Sequence, residues 1–223
     1  MSEKTYTLAI LGGTGDLGTG LARRWAKAGH RVVIGSRSAE SGARAAAALK
    51  EAVPGAEADG MENGDAAAAG EIVVLTVPFA NHAPMLEVAR AHVQGKIFVD
   101  VTVPLMPPKV RTVHLPPEGS AAQAAQNFLG EDVRVVSAFQ NIAATHLQDL
   151  AHDIDCDVLV CGNDQEAREI VVGLAQDAGM KAWHAGRIEN SVVAEALTSA
   201  LIFMNARYKI DGAGIRITGE PGK

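Results

Sequence analysis

The run Gly13-Thr-Gly15-Asp-Leu-Gly18 carries the strongest chemical signal in the sequence. It lies between an apolar stretch, Thr5–Leu11, and a helical-period stretch, Asp16–Ala28. That strand–turn–helix setting makes a glycine pattern a dinucleotide fingerprint. The first glycine permits the tight turn, the second lets backbone approach a pyrophosphate, and the third lets helix pack closely on strand. Backbone N–H groups at the helix N-terminus then face the phosphates, where the helix dipole also favours anions. A second signal concerns the adenosine ribose. A site for NAD normally ends its second strand in Asp or Glu, whereas here that strand ends in Gly35-Ser36-Arg37-Ser38 with no carboxylate before Glu40. A cation flanked by hydroxyls suits a 2′-phosphate. NADP is therefore favoured over NAD.

A third group sits at the ends of two further strands, Thr76-Val77-Pro78-Phe79 and Asp100-Val-Thr-Val-Pro104-Leu105. Ligands of open α/β sheets lie beyond the carboxyl ends of the strands. Val77, Pro78, Pro104 and Leu105 would form an apolar wall there, excluding water from a hydride in transit. Side chains suited to proton transfer are inconspicuous. His82 opens a helix and reads as surface or phosphate-proximal, and His30 and His92 read as solvated helix-end residues. His114, His146, His152 and His184 show no pairing pattern with acidic residues. A reaction that moves a hydride between two rings needs no such group, whereas an alcohol, ketone or imine dehydrogenase does.

The elements that would position these residues alternate along the chain. Strands are expected at Thr5–Leu11, Arg31–Gly35, Glu71–Val77 and Lys96–Val101, with helices at Asp16–Ala28, Ala39–Val53 and Ala83–Val93 between them. Apolar runs without alternation, such as Ile72-Val-Val-Leu-Thr-Val77, indicate strands buried on both faces. The connections are too long for hairpins, so the sheet is mainly parallel and doubly wound. Pro104–Pro117 is an expected irregular loop. Beyond it come a helix at Ser120–Leu129, strands at Val133–Phe139 and Asp157–Cys161, a helix at Gln165–Ala178 and a strand at Lys181–Ala185. The last helix, of roughly 20 residues, carries Val192, Val193, Ala196, Leu197, Ala200, Leu201 and Met204 as an apolar stripe. Such a face must be covered by its own domain or by a partner subunit. The tail Asp211–Lys223 reads as loop. The fold class is α/β, Rossmann-like and doubly wound: residues 1–186 form the dinucleotide-binding domain and 187–223 a C-terminal helical extension.

Composition bounds the partners. The chain has 223 residues, 48% hydrophobic and 21% charged, with a net charge of −6. The length suffices for one large domain. An acidic excess without like-charge runs removes the electrostatic footprint of a nucleic-acid binder. No apolar run approaches the roughly 20 residues needed to cross a bilayer, and the polar start Met-Ser-Glu-Lys is not that of a signal peptide. Cys156 and Cys161 flank a short apolar run, point to opposite faces of a strand and lack the companions of a zinc site. A cytoplasmic protein whose partners are small molecules is expected, with no nucleic acid, membrane or metal.

The residues also carry a family resemblance. Leu11-Gly-Gly-Thr-Gly-Asp-Leu-Gly-Thr-Gly-Leu-Ala22, Gly29-His30 and Ile34-Gly-Ser-Arg37 resemble the NADP-dependent reductases of coenzyme F420, a deazaflavin. The likeness continues through Val74-Leu-Thr-Val-Pro78, Val103-Pro-Leu105, Val136-Ser-Ala-Phe139 and Asp157-Val-Leu-Val-Cys-Gly162. It implies hydride transfer between the nicotinamide C4 and the deazaflavin C5 by a homodimer, with no catalytic acid or base. It further implies that Thr14, Gly15, Asp16 and Leu17 hold the pyrophosphate and that Ser36 and Arg37 hold the 2′-phosphate. Val77 and Pro78 would flank the nicotinamide, with Ile142 and Ala144 nearby. The deazaflavin would stack above, bounded by Pro104, Leu105 and the tail near Ile215. Two positions depart from the pattern: Ser41 stands where some members have a lysine, and Gln140 where some have a histidine. The competing readings are a reductase of another flavin, such as FMN or FAD in a metal–flavin system, an imine or ketone reductase, and a non-catalytic NADPH sensor.

Overall fold

The computed structural model describes residues 4–219. The polar start at 1–3 and the end of the expected tail at 220–223 lie outside the described residues. The first half contains β1 (Thr7–Leu11), α1 (Asp16–Lys27), β2 (Arg31–Ser36), α2 (Ala39–Ala52), β3 (Ala58–Glu62), α3 (Asn63–Ala69), β4 (Ile72–Leu75), α4 (His82–Arg90) and β5 (Ile97–Asp100). The second contains α5 (Ala121–Leu129), β6 (Arg134–Ser137), α6 (Ala144–Gln148), β7 (Val158–Gly162), α7 (Gln165–Asp177), β8 (Ala182–Gly186) and α8 (Ser191–Tyr208). The strands form one sheet in the order β3-β2-β1-β4-β5-β6-β7-β8. Neighbours run parallel except β6 and β7.

The two-faced burial of the strands follows from their alternation. In β1, Leu8 and Ile10 enter one core while Ala9 and Leu11 enter the other. The first core gathers Leu21, Trp25 and Leu174 on one face of the sheet, and the second gathers Ala66, Leu86 and Ala125 on the opposite face. Both layers are needed because a central parallel strand leaves no face to water. The Rossmann-like, mainly parallel sheet with a C-terminal helix is as expected.

Three features differ from the expectation. The segment after α2 forms β3 and α3, which the sequence reading left unassigned. β3 is an edge strand, Ala-Asp-Gly-Met-Glu, without a β-branched residue, and takes its conformation from its register against β2. The segment after β6 forms the five-residue α6, which packs on α1 rather than returning along the sheet. The chain consequently enters β7 from the carboxyl end of the parallel strands and runs antiparallel to β6. Finally, the chain itself covers the apolar stripe of α8 only in part: Leu201 is buried and Val192, Ala196 and Leu197 are half-buried, whereas Val193, Ala200 and Met204 are exposed. Its covered residues are Ser191, Ala194, Glu195, Ser199 and Leu201, whereas Val193, Phe203, Met204 and Tyr208 are exposed.

Candidate functional site

The turn between β1 and α1 is built on sterics. Gly12, one residue before the fingerprint's first glycine, takes the left-handed φ of +72°. A Cβ there would sit 2.5 Å from Val77 Cγ1, so the turn and the β4 end touch only because residue 12 is glycine. Gly18 packs α1 onto the turn, since its Cβ would lie 2.7 Å from Gly13 Cα and 2.8 Å from Thr76 Oγ1. Thr76 donates to the Leu11 carbonyl through both its amide, at 3.0 Å, and its hydroxyl, at 2.9 Å. Gly15 precedes α1 and has only the Gly12 carbonyl within reach of a Cβ, at 3.6 Å. Its outer face is therefore open, as a phosphate approach requires. The Asp16 carboxylate is 3.4 Å from Gln148 Nε2, which leaves this residue's backbone N–H rather than its charge for an anion.

The same turn opens into a cleft of about 370 Å³. Thr14, Gly15, Ser36 and Arg37 line one side, and Thr76, Val77 and Pro78 line another. Six of the expected site residues (Thr14, Gly15, Ser36, Arg37, Val77 and Pro78) thus share one concavity at the carboxyl ends of β1, β2 and β4. Ser36 is buried and Arg37 is exposed. The α2 N-terminus follows directly, capped by Ser38 Oγ, which accepts from the Ser41 amide at 3.3 Å. Arg44 is drawn to Glu40 at 3.5 Å, an exposed pair one turn along α2. Asn63 was missed from sequence: it opens α3, lines the cleft, and accepts from the Gly12 amide at 3.1 Å through Oδ1. Its only signal was a position after a strand that lacked strand-like residues.

The residues expected around a second ring are not gathered into that cleft. Pro104 is buried and Leu105 half-buried, in a tight turn where the Leu105 amide donates to the Val103 carbonyl at 2.7 Å. Gln140 and Ile142 line a small crevice of about 80 Å³ against Thr198, Leu201 and Ile202 of α8. They follow Phe139, a fully packed aromatic residue at φ 72°, a conformation that costs a bulky L-residue about 1–3 kcal/mol and persists only where its surroundings hold it. Ala144 opens α6. Ile215 is fastened to the start of β7: its carbonyl accepts from the Asp157 amide at 2.8 Å and its amide approaches Cys156 Sγ at 3.4 Å. Leu17 packs against the core beneath the turn.

Three histidines expected to be solvated, surface-bound or without acidic partners are paired, while His92 is exposed as expected. His30 is 2% exposed, with Nε2 3.2 Å from Asp177 Oδ2. His146 Nε2 lies 3.7 Å from Asp211 Oδ2, and its ring stacks near His152. His82 is buried, not surface-bound, and its Nε2 is 2.6 Å from Oδ2 of the fully buried Asp100. Burial opposes a charge on His82. The hydrogen bond and charge of Asp100, with the charge of Glu195, nevertheless raise its pKa above the ordinary histidine value. Glu195, on α8, accepts from the Ala121 and Ala122 amides at the start of α5 at 2.7 and 3.1 Å. Burial pushes its pKa up to about 8 against the pull of those two donors, and the Asp100 charge adds to the rise. These pairs escaped the sequence reading because 18 residues and a sheet crossing separate His82 from Asp100.

Residues 7–104 match the family model described as NADP oxidoreductase, coenzyme F420-dependent. An F420-dependent NADP reductase of Methanocaldococcus jannaschii is 45% identical over 219 residues, covering 95% of this chain and 97% of the relative. One from Methanothermobacter thermautotrophicus is 41% identical over 223 residues, covering 96% and 95%. Among solved structures, a candidate F420-dependent NADP reductase of Arthrobacter sp. FB24 aligns with a TM-score of 0.80 at 27% identity, covering 96% of this chain and 100% of that one.

Proposed function

Because the chain belongs to the family of F420-dependent NADP reductases, we propose that it transfers a hydride between NADP(H) and the deazaflavin coenzyme F420. The observation that carries this reading is the single cleft joining the phosphate turn to Ser36 and Arg37 at one end and to Val77 and Pro78 at the other. In it, amides at Thr14, Asp16 and Leu17 and the α1 N-terminus would hold the pyrophosphate against the open face of Gly15, whose own amide donates to the Gly12 carbonyl at 3.1 Å, with Gly13 and Gly18 shaping the turn. Ser36, Arg37 and the α2 N-terminus at Ser41 would hold the 2′-phosphate. Val77 and Pro78 would set the nicotinamide at the sheet edge, with Ile142 and Ala144 beyond it. Pro104, Leu105, Gln140 and the Ile215 segment would bound the deazaflavin.

Catalysis in this arrangement is by positioning: the reacting carbons are brought to about 3–3.5 Å in a dry apolar slot. NADPH loses a hydride from C4, the deazaflavin gains it at C5, and a solvent proton completes the reduced ring at nitrogen. No side chain is required as acid or base at the carbon centres. The 1–186 unit would supply the NADP site and the 187–223 extension the far wall of the deazaflavin site. A homodimer is part of the same proposal, supported by exposed Val193, Phe203, Met204 and Tyr208 on α8 and by Met106, Val113 and Leu115 in the loop between β5 and α5. Among the described residues no helix is long and apolar enough to cross a membrane, and two buried thiols, Cys156 and Cys161, fit a reducing, cytoplasmic setting. The test is to mix the purified protein with NADPH and F420 and follow deazaflavin absorbance, with FMN and FAD in parallel. Turnover of F420 is expected. Turnover of FMN alone, or NADPH binding without any turnover, would replace the reading by a flavin reductase or an NADPH sensor.

A further inference from the structure

Behind the two walls of the site lies a chain of buried polar contacts. His82 follows the nicotinamide-side residues Val77 and Pro78 through one 3-10 turn, and its ring lies 6.1 Å from that of Phe79, stacked at 27°. Its Nε2 meets Asp100 Oδ2 at 2.6 Å, at the end of β5. The other carboxylate oxygen of Asp100 accepts from the Thr102 amide at 2.9 Å, fixing the segment that leads to Pro104 and Leu105. The Asp100 carbonyl accepts from Gln140 Nε2 at 2.9 Å, and the Gln140 carbonyl accepts from Thr198 Oγ1 of α8 at 2.9 Å. One run of hydrogen bonds therefore links α4, β5, the 138–142 turn and α8.

Two observations mark the Gln140 end of this chain as held under constraint rather than merely filling the core. Gln140 is 5% exposed, yet its Oε1 has no hydrogen-bond partner. An unsatisfied buried amide oxygen costs about 1–3 kcal/mol, so the surrounding contacts must hold Gln140 in this orientation. The residue before it, Phe139, is held in the left-handed region, a conformation that concentrates at functional sites. A buried charged pair such as His82–Asp100 also adds little net stability compared with apolar packing, and its best use is to select one geometry.

We propose that the buried His82–Asp100 pair is a positioning clamp for hydride transfer, tying the nicotinamide-side wall at Val77–Pro78 through Asp100 and Gln140 to the deazaflavin-side turn and to Thr198 of α8. The proposal rests on the F420 reductase reading above. His82 and Asp100 act through Gln140 and the strand ends, so they are positioning residues and not proton donors to the carbons that react. The charged groups facing the clamp are Asp100 itself and Glu195 of α8.

The test uses the full chain with NADPH and F420 and compares wild type with His82→Gln, Asp100→Asn and Gln140→Leu. Misplacement of reacting atoms by a fraction of an ångström to 1 Å predicts a fall in kcat of about 10- to 100-fold. The KM for NADPH should stay within about twofold, because the phosphate contacts are untouched. The kinetic isotope effect with NADPH deuterated at the transferred C4 position should rise as the chemical step becomes limiting. Thr198→Val, a milder change on half-buried α8, should show the same signature in weaker form. His82→Gln combined with Gln140→Leu should lose little more than either alone. A lowered Tm with unchanged kcat per NADPH-binding site and an unchanged isotope effect would overturn the clamp, as would additive losses in the double variant. If wild type itself fails to turn over F420, the functional reading falls and the clamp with it. Wild-type turnover with unaffected variants would refute the clamp alone.

Discussion

Replacing Arg37 by alanine tests the assignment of the 2′-phosphate corner. Arg37 is the exposed residue immediately after β2, while Ser36 is buried and the α2 N-terminus lies alongside. A hydrogen bond from a charged donor is worth about 1.5–3 kcal/mol. Solvent exposure puts Arg37 at the low end of that range, about 1.5–2 kcal/mol, or a factor of about 10–30 in affinity. The helix N-terminus retains about 0.3–1 kcal/mol of its own preference for the anion. The variant should therefore keep a reduced preference for NADPH over NADH. Initial rates with both cofactors at saturating F420 should show KM for NADPH raised about 10- to 30-fold, KM for NADH unchanged and kcat within about twofold. Arg37→Lys should lie between, since an ammonium keeps the charge without the planar fork. Added salt should raise the wild-type KM for NADPH more than that of the alanine variant. Equal losses with NADPH and NADH would refute the assignment.

Three further outcomes follow from the geometry. Glu195, with its pKa pushed up to about 8 by burial, folds best when protonated. The stability it contributes is present below its unfolded value near 4.5 and is lost as pH rises through about 8. Urea unfolding of wild type between pH 5 and 8 should accordingly lose up to about 1.4 kcal/mol per pH unit relative to Glu195→Gln; parallel profiles would contradict the linkage. Gly12→Ala should force Val77 aside and strain a left-handed backbone, lowering stability by about 1–2 kcal/mol and raising KM for NADPH. Arg24 donates to the carbonyls of Leu147, Ala178, His146, Asp149 and His152. Arg24→Met should cost about 3 kcal/mol or more by orphaning them, visible as a fall in Tm that NADPH only partly restores.

The parts of the molecule legible in the sequence are those that depend on local spacing. Gly13, Gly15 and Gly18 located the turn between β1 and α1, and Ser36-Arg37 located the far side of the cleft it opens into, because both lie within a few residues of a strand end. Even there the left-handed position turned out to be Gly12, since which glycine bends depends on contact with Val77 across the sheet. β3 was hidden because Gly60 replaces a strand-like residue. It does so for a tertiary reason: a Cβ there would overlap the backbone of Gly42 on α2. The His82–Asp100, His30–Asp177 and Glu195–α5 contacts were illegible because each joins elements brought together only by the sheet order. The stripe on α8 is apolar as expected, but the chain covers most completely the neighbouring side bearing Ser191, Glu195 and Ser199, together with Leu201.

The central claim is direct hydride transfer between two rings held in one slot. It is tested most directly by incubating the protein with NADPH deuterated at C4, in separate samples on each prochiral face, and a stoichiometric amount of F420. Mass spectrometry and proton NMR of the reduced deazaflavin then locate the label. Deuterium from one face should arrive at C5 without dilution by solvent, and deuterium on the other face should remain on the nicotinamide. Label lost to water, label delivered equally from both faces, or no reduction of F420 would contradict the account.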